Sequence, residues 1–208
     1  MSKLAAASMA GLGAAGASGF GAYHLYSQKP KHEIKTIQDK LVSEGFKILQ
    51  KSEQSHWTTL KGEYNKIKTD TNKAFATTNT DINEDGLKAL CEEFLKKEKE
   101  DSSYSKAKRW CVVPVSVTHH LTNLGFTALN TEGAGSQTTW EGLVSEYEDS
   151  KNSSHKISGL DTLADTKWEK IRDKCKEIMA KQNYDDSFDT NLESSKRWCV
   201  SKTLGVGS

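Results

Sequence analysis

Apolar residues recur along the chain at the three- and four-residue steps of amphipathic helices. Two stretches place tryptophan, leucine and tyrosine on one helical face, 83 residues apart (140 − 57): Trp57, Leu60 and Tyr64, and then Trp140, Leu143 and Tyr147. Residues at such steps lie one above the other on a helix. The pattern predicts two helices that face a core, and we prefer this interpretation to an exposed aromatic binding platform.

A second repeated pattern places one cysteine in a helix and another beside tryptophan. The sequence Lys-Arg-Trp-Cys-Val occupies 108–112 and returns at 196–200, an offset of 88 residues (198 − 110). Upstream of each copy, an apolar helical pattern carries Cys91 or Cys175, an offset of 84 residues (175 − 91). The offsets predict an internal duplication of about 85 residues. Two further tryptophans complete the predicted core of the two copies: Trp110 and Trp198.

The duplication and the helical spacing together predict a mainly α fold in three parts. Residues 1–28 form the predicted N-terminal membrane anchor, residues 34–122 the first small helical module, and residues 123–208 the second, similar one. Only two prolines occur in the 208 residues. Because proline interrupts helices, its scarcity agrees with helical modules.

The N-terminal leader has the length of a membrane-spanning helix. The run Leu4–Tyr26 contains no Asp, Glu, Lys or Arg, and at about 1.5 Å per residue it can cross a bilayer. We expect an uncleaved signal-anchor, and the alternative is a signal peptide cleaved near Ala15-Gly16-Ala17. Small residues at four-residue steps would let two leaders pack into a homo-oligomer, although a leader rich in Ala and Gly also produces such steps by accident.

Charge and motifs argue against nucleic acid and against catalysis. Lys and Arg number 29 and Asp and Glu 28, so no overall basic field attracts nucleic acid. No phosphate-binding loop, Gly-x-Ser-x-Gly or His-Glu-x-x-His motif occurs, and the residues shared by the two copies are those of a scaffold. We expect no catalytic residue, no cofactor and no metal, and we predict that the adjacent His119 and His120 lie on the surface.

Each predicted module contains two of the four cysteines. Their equal distribution and the exported-looking leader favour the disulfides Cys91–Cys111 and Cys175–Cys199. In the chain-entropy model each would stabilise its module by about 3 kcal/mol. Four reduced thiols are one alternative, and pairing across the modules is another. Zinc is disfavoured because the chain has no Cys-x-x-Cys.

Taken together, these features resemble the uncharacterised paralogous membrane-anchored proteins of haemotropic mycoplasmas. Four features carry the resemblance. They are the Met-Ser-Lys start before an Ala/Gly-rich leader, the preference for lysine over arginine, the Trp-x-x-Leu-x-x-x-Tyr pattern that begins at Trp57, and the Lys-x-Trp-Cys-Val sequence at the end of each copy. It implies a surface-exposed protein without an established activity and transfers no catalytic residue. In bacteria with a single membrane and no wall, it also implies that the modules lie outside the cell.

The resulting functional hypothesis is a single-pass protein of the cell membrane whose soluble part is extracellular. We expect its partners to be the membrane, through the leader, and a host surface protein or an antibody. The alternative is a scaffold that faces the cytoplasm, since Lys29, Lys31 and Lys35 follow the leader and positive charge favours the cytoplasmic side.

Overall fold

The computed structural model describes residues 33–133, 136–163 and 168–201. The predicted anchor, residues 1–28, lies outside them. Within the described ranges, no helix is both long and apolar enough to cross a membrane. The described residues from Ile34 onward belong to one compact unit, and it is mainly α-helical, as predicted.

The described part of the chain forms eight α-helices and one 3-10 helix. In chain order they are α1 (Ile37–Ser43), α2 (Gln54–Ile67), α3 (Glu84–Phe94), α4 (Tyr104–Trp110), α5 (Val117–Asn123), α6 (Gln137–Glu148), the 3-10 helix (Ser150–His155), α7 (Trp168–Met179) and α8 (Phe188–Trp198). We call residues 33–115 the first half and residues 116–201 the second half.

The first helix of each half begins and ends in the same way. The hydroxyl of Thr36 caps α1 by accepting from the Asp39 N–H, and the hydroxyl of Ser116 caps α5 by accepting from the His119 N–H. A glycine with φ of +85° follows each helix, Gly45 or Gly125. Position 117 thus opens a helix equivalent to α1, whereas the predicted boundary lies at its end; the division into modules 34–122 and 123–208 stays a prediction.

Short antiparallel bridges hold each half together where its chain is extended. Ile48 pairs with Val112 in the first half, and Ala128 pairs with Val200 in the second. Each bridge joins the segment after the glycine turn to the segment that contains the tryptophan-cysteine pair. Next to each bridge, the cysteine carbonyl accepts a backbone hydrogen bond: Cys111 O from the N–H of Leu49, and Cys199 O from the N–H of Leu129.

All eight residues of the predicted core are buried, with exposures between 0 and 8%. Each of the four core tryptophans also donates its indole N–H to a backbone carbonyl, at 2.6–3.0 Å. A buried indole needs such a partner because an unpaired donor is costly inside a protein. The carbonyl acceptors lie outside the α-helices: Gln50 for Trp57, Lys73 for Trp110, Asn130 for Trp140 and His155 for Trp198.

The tyrosine of each core stripe fastens the loop that follows its helix. Tyr147 Oη accepts from the N–H of Ile157 at 3.0 Å and donates to the carbonyl of Leu160 at 2.5 Å. Tyr64 Oη makes the corresponding pair of bonds to Phe75 N and Ala76 O. Each ring also meets the second tryptophan of its half edge to face, with centroids 4.8–5.2 Å apart.

We predict that Tyr147→Phe lowers the free energy of unfolding by about 1–3 kcal/mol, because it leaves the N–H of the fully buried Ile157 without a partner. Tyr64→Phe should cost less, since Phe75 and Ala76 are partly exposed to water. Urea unfolding followed by circular dichroism measures both. Tyr184→Phe is the control, because its hydroxyl has no hydrogen bond to any described residue; an equal loss in all three variants would contradict the assignment.

Candidate functional site

The four cysteines form two disulfides, one in each half, in the predicted pairs. The Cα atoms are 5.3 Å apart in Cys91–Cys111 and 5.5 Å apart in Cys175–Cys199. Each bond ties the third α-helix of its half, α3 or α7, to the tryptophan-cysteine segment. All four residues are buried. The disulfides are therefore structural connections inside each half, and the halves contact each other through other residues.

The apolar part of the junction between the halves is the glycine turn of the first half. Phe46 stacks on the imidazole of His120, with ring centroids 4.1 Å apart, and lies 6.3 Å from the ring of Phe188. A Cβ atom on Gly45 would lie 3.1 Å from the Leu124 side chain. Phe46 is 6% exposed, so the second half covers this turn.

A buried asparagine makes the central polar contacts of the junction. Asn183 is 3% exposed, and its amide nitrogen donates to the carbonyls of Lys108 and Arg109, at 3.0 and 3.1 Å. Its amide oxygen accepts from the N–H of Val115 at 2.9 Å. One side chain of the second half thus satisfies three backbone groups of the first.

Two aspartates of the second half pair with cations of the first half beside this asparagine. Asp186 accepts from Lys73 Nζ and Arg109 Nη1, both at 2.6 Å, and Asp189 accepts from Lys108 Nζ at 2.6 and 2.7 Å. The hydrogen bonds from Lys73 and Arg109 hold the pKa of Asp186 below its usual range. The junction therefore carries complementary charge, with acids on the second half and bases on the first.

The prediction that His120 lies on the surface is wrong, although His119 is exposed as predicted. His120 is 2% exposed, and its Nδ1 has no hydrogen-bond partner within the described residues. Burial lowers its pKa to about 4, the charges of Lys196 and Lys108 act in the same direction, and Asp189 opposes them. Adjacent positions of a helix point in different directions, and the sequence alone did not show that Phe46 of the other half covers one of them.

A cleft of about 410 Å³ opens beside His120 at the junction. Its wall is mixed, with the rings and aliphatic side chains of Phe46, Leu124 and Leu192 next to charged groups of both signs: Glu44, Lys108, Asp189, Glu193 and Lys196. Among the described residues, no group of three or more His, Cys, Asp or Glu could hold a metal ion. The arrangement is suited to holding two protein surfaces together by stacking, hydrogen bonds and ion pairs.

The residues that match between the two copies do not reveal this junction, because its second-half side is made of residues that differ. Asn183, Asp186 and Asp189 stand where the first copy has Lys99, Ser102 and Ser105. Comparison of the whole chain with protein-family models, with curated proteins and with solved structures found no match.

We predict that Asn183→Ala lowers the free energy of unfolding by about 2 kcal/mol, because it leaves three backbone groups of the first half without their partner. The matched control is Lys99→Ala at the equivalent, exposed position of the first half, which should change stability by less than about 0.5 kcal/mol. Urea unfolding of both variants makes the comparison. Similar losses in the two would show that Asn183 has no special role.

We predict that stability falls as the pH is lowered from about 6.5 towards 4. In this window the unfolded chain binds a proton at His120 and the folded chain does not, because its pKa is lowered to about 4. The contribution is at most about 3 kcal/mol. Unfolding measured between pH 6.5 and 5 should have a smaller slope in His120→Gln than in the native chain. His119→Gln is the control and should keep the native slope; a slope unchanged in His120→Gln would contradict the prediction.

Proposed function

We propose that the chain is a non-enzymatic binding protein that works outside the cytoplasm, with two disulfide-linked helical halves as a scaffold. The single observation that carries the proposal is the presence of one disulfide inside each half. Disulfides persist in oxidising compartments and are rare in the cytosol, where thiols are kept reduced. Small helical units also gain stability from such a connection.

The distribution of matching and differing residues supports a binding role. The Trp, Tyr, Leu and Cys residues that repeat between the copies are buried and hold the fold. Exposed positions differ in charge between the copies, as in the pairs Ser102 and Asp186 or Ser105 and Asp189. A scaffold that keeps its core and changes its surface is suited to recognising partners, because binding specificity depends on surface groups.

In the full proposal, residues 1–28 anchor the chain in the cell membrane as a single-pass helix, and the two halves lie outside the cell. This part rests on the apolar run Leu4–Tyr26 and on the resemblance to surface proteins of wall-less bacteria. A host surface protein or an antibody is the expected class of partner. Packing of the small-residue leader into a homo-oligomer is part of the same proposal.

Whether the four cysteines are oxidised or reduced in the native cell tests whether the chain works outside the cytoplasm. We predict that, after rapid denaturation without reductant, a maleimide reagent labels none of the four cysteines, and that it labels all four once reductant is added. Four labelled cysteines without reductant would instead favour the scaffold that faces the cytoplasm, for which Lys29 and Lys31 after the leader are the motivating residues.

Two controls sharpen the thiol measurement. Proteolytic cleavage within 130–138, followed by non-reducing electrophoresis, should separate the two halves, because each disulfide lies within one half. Protease added to intact cells should remove the described part of the chain. Full protection of the chain from that protease would contradict an extracellular location.

A further inference from the structure

The outer end of the second half repeats the surface with which the first half holds the second. The matching features are the glycine-phenylalanine turn, the Lys-Arg pair before the last tryptophan of each half, and the residue whose carbonyl accepts from that tryptophan. In the first half these are Gly45-Phe46, Lys108-Arg109 and Lys73. We call their second-half equivalents the terminal face: Gly125, Phe126, His155, Lys196 and Arg197.

The terminal face is open where its counterpart is covered. A Cβ atom on Gly125 would meet no atom of the described residues within 4 Å, whereas one on Gly45 would lie 3.1 Å from Leu124. Phe126 is only half-buried and Arg197 is exposed, while Phe46 is buried and the Arg109 side chain is 17% exposed. The same kind of surface is thus covered by the second half in the first half and exposed in the second half.

The terminal face carries positive charge beside a cleft of about 550 Å³. Lys156, Lys196 and Arg197 line this cleft together with His155, and Glu193 is its acidic residue. Lys196 and Glu193 lie between the two clefts, since they also line the one at the junction. Lys196 pairs with Glu193 on its own helix at 2.7 Å, and Arg197 donates to the amide oxygen of Asn152, a neutral acceptor. At the junction, the corresponding arginine pairs with the carboxylate of Asp186.

We propose that the terminal face binds an acidic segment of another protein, with the chemistry that the second half presents at the junction. That segment has the order Asn-x-x-Asp-x-x-Asp with an aromatic ring before the last Asp, as in residues 183–189. Its asparagine would satisfy backbone carbonyls of residues 196–197, its two aspartates would pair with Lys196 and Arg197, and its ring would lie against Phe126. Charge complementarity and continuity with the junction surface support this occupant.

A second copy of the native chain does not provide such a segment. The equivalent loop of the first half carries Lys99, Ser102 and Ser105, all exposed, and so presents a cation and two neutral hydroxyls to the cations of the terminal face. The acidic segment of the second half is already held by its own first half. The inference goes beyond the proposed function, since it does not depend on the compartment in which the chain works.

The experiment grafts the acidic segment onto the exposed loop of the first half. A donor chain carries K99N, S102D and S105D, together with K196Q and R197Q so that it cannot bind itself. The acceptor is the native full-length chain, and both are held in the same non-ionic detergent. We expect a 1:1 complex of donor and acceptor by analytical ultracentrifugation, weakened by added salt because it depends on ion pairs. A control sample of the native chain without the donor measures any association through the leader.

Two acceptor variants show whether the complex uses the terminal face. K196Q/R197Q should weaken donor binding at least about tenfold, the effect expected when two ion pairs are lost from an interface. K51Q/K66Q, which removes the same charge from two exposed lysines of the first half, should leave the affinity unchanged. Circular dichroism and thermal unfolding establish that each variant is folded.

No binding of a folded donor, or equal binding to the native and K196Q/R197Q acceptors, would overturn the inference. The same holds if the terminal face binds a sulfated oligosaccharide but not the donor, since it would then be a polyanion site. If the donor does not fold, the acceptors are titrated with a capped peptide of residues 182–192 and with its D186N/D189N form. The inference then requires that the native peptide binds, and that both the peptide change and the K196Q/R197Q change weaken it.

Discussion

The tryptophan-cysteine pair at the end of each half is the constraint on which the rest of the structure depends. These two residues contact four parts of the fold. The indole fills the core, and its N–H donates to a backbone carbonyl outside the α-helices. The cysteine sulfur is bonded to α3 or α7, and the cysteine carbonyl accepts from the extended segment after the glycine turn. Helices as short as α1 and α4 are marginal by themselves. They are held to the core by this segment, since α4 ends in it and the chain that follows α1 is bonded to it.

The sequence was sufficient to predict the interior of each half. The Trp-x-x-Leu-x-x-x-Tyr stripe, the cysteine pairs and the mainly helical fold follow from spacing, because helical periodicity and the duplication both report which side chains face inward. The second half shows why loops were harder to predict. Its 3-10 helix, Ser150–His155, ends at the carbonyl that accepts from Trp198, and Ile157 just after it donates its N–H to Tyr147. Neither contact leaves a periodic signal.

The junction could not be predicted, since it depends on how one half lies against the other. His120 stands on a helix whose equivalent in the first half carries Lys40, a half-buried residue that pairs with Glu100 and lies over the ring of Tyr104. The same helical position is therefore polar in one half and buried in the other. His120 is covered by Phe46 and lies 6.0 Å from the ring of Phe188, and both contacts join residues far apart in the sequence.

The asymmetry between the copies also limits how the chain can assemble. When two similar units meet head to tail, each outer end keeps one of the two complementary contact surfaces exposed. Further units can then add at these ends and form an open stack. In this chain the residues needed for continuation are Asn183, Asp186 and Asp189 of the second half. The equivalent positions of the first half carry Lys99, Ser102 and Ser105. Growth through copies of the same chain is thereby opposed at the first half, while the positive terminal face of the second half keeps the composition that pairs with acids at the junction. The two ends of one duplicated scaffold have acquired different binding chemistry.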